Sequence, residues 1–147
     1  MINDFLINDI NLDGFQMVQG GLFRKQQAPL MTLWKNAVQF NPTAYTMLNR
    51  CEAVHLLVDI KARQIVVRPC PSSDADAILW NRNPEEPKTT RIECASFTKQ
   101  LFNSWNMESA FHYRSAGILV RYEDRMMLLF DFRRAEIWNG IKRVKGA

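Results

Sequence analysis

The side chains of this sequence suited to nucleophilic, acid–base or metal chemistry are few: three cysteines, Cys51, Cys70 and Cys94, and two histidines, His55 and His112. Cys94 or Ser115 with His112 or His55 would supply a nucleophile and its base. No spacing in the chain ties such a pair together, so no catalytic residue is assigned. Cys51-x-x-x-His55 is the one approach to a zinc motif, and structural zinc takes four ligands in close pairs, so no metal site is expected. Both histidines stand in strand-like runs, AVHLLV and FHY, and read as packed strand residues. Glu85-Glu86 and Asp74-x-Asp76 fall in a polar connection and read as solvation rather than as paired acids. Neither glycine-rich phosphate loop occurs, and no cofactor or small-molecule site is expected.

The cationic side chains carry the other available chemistry. Between Arg133 and Ala147 stand Arg133, Arg134, Lys142, Arg143 and Lys145 against the single acid Glu136, so the whole net charge of +4 lies in this end of the chain. A neutral body with a basic end points to a polyanionic partner, because cations placed against phosphates release condensed counterions. Arg121 and Arg125 add to the set, and with Arg114 they are interleaved with Phe111, Tyr113, Tyr122, Phe130 and Phe132 on strand-like segments. Cations beside aromatic faces suit a single nucleic-acid strand. No recognition helix is visible, and SAGILVRY lacks the internal aromatics of an RNP motif.

The elements that must position these groups read as a mixed α and β chain. Of 147 residues, 47% are hydrophobic and 23% charged, which excludes a disordered or collagen-like chain and suits one domain. Residues 1–29 mix apolar and turn-forming residues and read as an N-terminal arm. Strands are expected at Leu30–Lys35 and Ala37–Phe40, and a helix from the Asn41-Pro42 cap. Ala53–Asp59 and Gln64–Pro69 read as a hairpin, Pro71–Lys88 as a long connection with an edge strand at Ile78–Trp80, and Thr89–Cys94 as a strand. Ser96 is expected to cap a second helix whose apolar stripe is Phe97, Leu101 and Trp105. Ala110–Tyr113, Ile118–Tyr122 and Arg125–Phe132 complete the strands, the last two turning at Glu123-Asp124. The order strand, capped helix, hairpin thus occurs twice. The expected fold is an α+β domain over 30–138, with two helices on a largely antiparallel sheet built from two such pseudo-repeats, followed by a basic tail at 139–147.

The stretch from Phe40 to Pro69, with Phe-Asn, Ala44, a short helix, Glu52-x-Val54-x-Leu56-x-x-Asp59 and Ile65-x-Val67-Arg68-Pro69, resembles small uncharacterised bacterial and phage-type proteins. The resemblance implies a compact α+β domain and brings no activity or site residues with it.

Four tryptophans and nine phenylalanines are more large aromatics than a small core needs. Trp80 and Trp138 are expected at an intermolecular contact, Trp34 and Trp105 in the core, and a homodimer is the default assembly. No run approaches the ~18 apolar residues of a membrane span, and the acidic first residues are unlike a secretory leader. A cytoplasmic, non-catalytic binding module is expected. Its partner is expected to be DNA or RNA, held by Arg133, Arg134, Lys142, Arg143, Lys145, Arg121 and Arg125. The alternative is a structural or protein-interaction homo-oligomer.

Overall fold

The computed structural model describes residues 11–19, 27–81, 84–85 and 88–145. Leu30–Leu33 (β1) and Ala37–Phe40 (β2) pair antiparallel about the turn at Asn36. Asn41 then ties three segments together: its Oδ1 accepts from Ala44 N at 3.1 Å and Leu30 N at 2.9 Å, and its Nδ2 donates to Ala28 O at 2.9 Å. With Pro42 preset in the first turn, the helix Pro42–Met47 (α1) begins there, as the cap signal requires.

Ala53–Asp59 (β3) and Gln64–Cys70 (β4) form the expected hairpin, and Ile78–Leu79 (β5) adds a two-residue edge to β3. Thr90–Glu93 (β6) pairs with β2. The second helix, Ala95–Ser104 (α2), starts two residues earlier than the expected Ser96 cap would place it: Cys94 is the capping residue and offers no side-chain hydrogen bond. Thr98, buried in the first turn, donates its hydroxyl to Lys35 O at 2.7 Å and anchors the helix start instead. Leu101 and Trp105 are buried and Phe97 packs against the core, so the apolar stripe is as the periodicity requires.

His112–Tyr122 (β7) is one continuous strand where the sequence suggests two. It turns through Glu123 and Asp124, both at positive φ, into Arg125–Asp131 (β8). Two further strands follow that the sequence reading did not include, Glu136–Asn139 (β9) and Lys142–Lys145 (β10), the second inside the region read as a tail; alternation along EIWN and the Gly140 turn at positive φ make them a hairpin. Of the expected N-terminal arm, residues 11–19 are exposed and outside the sheet, residues 1–10 and 20–26 lie outside the described residues, and residues 27–29 lead into β1.

All ten strands belong to one curled, largely antiparallel sheet in the order β5-β3-β4-β8-β7-β1-β2-β6, with β9 and β10 attached through β7. β7 holds the sheet together. Its first residues pair with β1 on one edge and with β9 on the other, and its later residues pair with β8. The enclosed face is the core, centred on Phe40, whose ring meets Tyr45, Trp80 and Phe130 edge to face at 5.0–6.3 Å between centroids. Trp80, expected at a contact, is 1% exposed and donates its indole N–H to Cys51 O at 2.8 Å. It lies inside because its β5 neighbour Ile78 pairs with Val54, which turns that end of the strand inward. Trp34, expected in the core, is half-exposed on the outer face of the sheet.

Candidate nucleic-acid interface

The alternation of side chains along paired strands decides what the outer face carries. Leu33 lies opposite Tyr113 on β7, and both are buried in the core, so Trp34 and His112, one position further on, meet on the other side. Their rings stack at 3.9 Å between centroids and 18° between planes. His112 lies opposite Trp138 on β9, near-parallel at 6.4 Å and 15°, and Trp138 lies opposite Arg143 on β10. One row across four strands therefore reads Trp34, His112, Trp138, Arg143.

The adjacent row on the same face reads Arg91 on β6, Gln39 on β2, Thr32 on β1, Arg114 on β7 and Glu136 on β9. The two rows are stitched together. Arg91 lies over the Trp34 ring at 4.4 Å and Arg114 over the Trp138 ring at 4.6 Å. Trp34 Nε1 donates to Gln39 Oε1 at 2.8 Å, and Trp138 Nε1 donates to Glu136 Oε2 at 3.1 Å. Glu136 also accepts from Arg114 at 2.9 Å and has Arg143 at 3.9 Å. Burial alone would raise the Glu136 pKa, but the hydrogen bonds from Arg114 and Trp138 and the two arginine charges outweigh it and lower it. Burial, then the charges of Arg114 and Arg91, push the His112 pKa below its ordinary value, so its ring stays a neutral aromatic in the stack.

The cations singled out by charge alone fall into three places. Lys142, Arg143 and Lys145 lie on β10, and Arg143 joins the aromatic row; the Lys145 side chain lies outside what is described. Arg133 and Arg134 sit exposed in the link between β8 and β9, where Arg133 is held by Asp131 through its Nε and Nη2. Arg121 and Arg125 stand at the far end of the β7–β8 hairpin, with Arg125 donating to Pro69 O at 3.0 Å. Arg121 is seven residues beyond Arg114 along β7, about 23 Å at the rise of a strand. The structure thus does not gather the seven into one patch. Sequence reasoning missed Trp34, Arg91 and the aromatic use of His112, and noticed Arg114 without placing it in the set of seven, because their meeting depends on the register of three separated strands. Of the nucleophile pairs, Ser115 with His112 is not assembled: the two point to opposite faces of β7, and Ser115 donates to Asp131 O at 2.8 Å.

Among the described residues, no helix is long and apolar enough to cross a membrane. Comparison of the chain with protein-family models, with curated proteins and with solved structures returns no match.

Proposed function

We propose that this protein binds single-stranded nucleic acid on the outer sheet face that carries Trp34, His112 and Trp138. The observation that supports the reading is the alternation of arginines and half-exposed tryptophans on that face. Bases stack on aromatic rings at about 1–3 kcal/mol each, and guanidinium groups neutralise phosphates. Arg91 is exposed and rests on Trp34 with no ion pair among the described residues, so a base can take its place on the ring and leave the guanidinium to a phosphate. Arg114 is pinned by Glu136 and keeps Trp138 in place. Arg143, Lys142 and Arg134 flank the face, whereas Arg121, Arg125 and Arg133 stand apart from it.

The test is quenching of tryptophan fluorescence by oligothymidylate and oligouridylate at low and near-physiological salt. Binding is expected to weaken steeply with salt and to fall at least about tenfold in Trp34→Ala, the loss of one stacked base. Absence of binding by the intact protein at low salt overturns the proposal. A self-associating subunit is the second reading, supported by Leu12, Phe15, Met17 and Val18, all at least 60% exposed in the arm. Sedimentation of the intact chain as a monomer at high concentration removes it.

The repeat reading also stands as a proposal. What supports it is a pairing pattern that is largely kept when the two halves are exchanged, although the β1–β2 pair has no β5–β6 counterpart among the described residues. The hairpins β3–β4 and β7–β8 abut through β4 and β8, and β2 abuts β6. The leading strand of each half, β1 or β5, pairs with the hairpin of the other.

A further inference from the structure

The β3–β4 hairpin places a second set of groups on its outer face. Ala53 pairs with Cys70 and His55 with Arg68, so His55 and Cys70 are diagonal neighbours on one side of the sheet. Beyond Pro71 the chain turns back, with Asp74 N donating to Pro71 O at 3.0 Å, and this turn brings the Asp74 carboxylate over the pair. One ligand atom each from His55, Cys70 and Asp74 then lies within 4.8 Å of the others.

We propose that His55, Cys70 and Asp74 form a binding site for a divalent transition metal of the zinc class. Imidazole, thiolate and carboxylate are the ligand types such ions take, and three protein ligands leave a fourth tetrahedral position for water or for a bound molecule. Bonds of about 2.0–2.3 Å put tetrahedral ligand atoms roughly 3.5 Å apart, a closure of about one ångström that the exposed Asp74 side chain can supply.

The surroundings of His55 support the same assignment. Arg68 Nη2 lies 3.1 Å from His55 Nδ1, and His55 Nε2 lies 3.0 Å from Ala75 O. An arginine only donates, so Nδ1 is the bare nitrogen and the ring proton on Nε2 is given to the carbonyl oxygen. This is the arrangement of a metal-ligating histidine, with one nitrogen free and the other fixed by a backbone carbonyl. A cation already occupies the free side, and it is poorly held there: Arg68 Nε is buried with no hydrogen-bond partner among the described residues. The metal takes the position of the guanidinium, which swings out on its flexible stem. A thiol gives up its proton to solvent as its sulfur bonds such an ion, so binding releases a proton.

Titration of the reduced, metal-free protein with cobalt(II) and then zinc tests the site. Expected are one equivalent bound, a thiolate-to-cobalt charge-transfer band, its loss on adding zinc, and tighter binding as pH rises. The band is expected to vanish in Cys70→Ser and to persist in Cys94→Ser. Asp74→Asn, at an exposed position that leaves the hairpin intact, is expected to weaken binding at least about tenfold. No band at millimolar cobalt, a band that survives Cys70→Ser, or unchanged affinity in Asp74→Asn overturns the proposal.

Discussion

Arg133 closes on Asp131 with its side chain and also donates its backbone N–H to Asp131 Oδ1 at 2.9 Å. The side-chain hydrogen bonds from Arg133 are the main reason the Asp131 pKa falls from 3.8 to about 2. A carboxylate whose pKa is depressed by folding stabilises the native state above its unfolded pKa and loses that contribution as pH drops toward the folded value. Stability is therefore expected to be level above about pH 5 and to decline between about pH 4 and pH 2. Asp131→Asn should flatten part of that decline in urea titrations across the range. The pair is well exposed, so screening keeps the effect small. An acid limb as steep in Asp131→Asn as in the parent chain would show that the pair contributes nothing. At this scale the sequence is a poor guide to tryptophan: hydrophobic content cannot separate Trp80, packed between Phe40 and Tyr45, from Trp34, layered between Arg91 and His112 on the outside.

Local signals announced most elements, because each was written within a few residues: the Asn41-Pro42 start of α1, the Glu123-Asp124 turn, the Phe97–Leu101–Trp105 stripe of α2. The long strand β7 was not legible in the same way. Ser115-Ala116-Gly117 looks like an interruption, yet Gly117 lies in the ladder opposite Phe130. Its role is space: a Cβ there would stand 2.6 Å from Phe130 Cε1, and Phe130 is fully buried and has nowhere to go. Gly117→Ala is expected to destabilise the fold by about 1–3 kcal/mol, the usual cost of overpacking a filled core. Thermal or urea unfolding measures it, and an unchanged midpoint would show that the ring gives way. The strands β9 and β10 escaped notice because their charges read as solvation, whereas pairing with β7 uses the backbone and leaves such charges outside.

Across the whole molecule, the sheet curls but stays open between β5 and β6, which have no pairing with each other among the described residues. Its free edges and the opening between them, a cleft of about 770 Å³ lined by Phe40, Leu56, Trp80 and Phe97, lie at this side. The aromatic and arginine face lies where β1, β7 and β9 meet. That arrangement was beyond sequence reading, since it depends on which strands become neighbours rather than on what each strand is. The strand β7 is common to both parts of the sheet, with β1 and β9 along its first residues and β8 along the rest. Native-state hydrogen exchange should therefore find the amides of Tyr113–Ser115 and of Ile118–Val120 opening at one shared free energy, the global one. Two separate values would mean that the parts open independently. A strand held this way acts as a keystone: neither part can loosen and leave the other standing, so damage at one end of the sheet is felt as a loss of the whole.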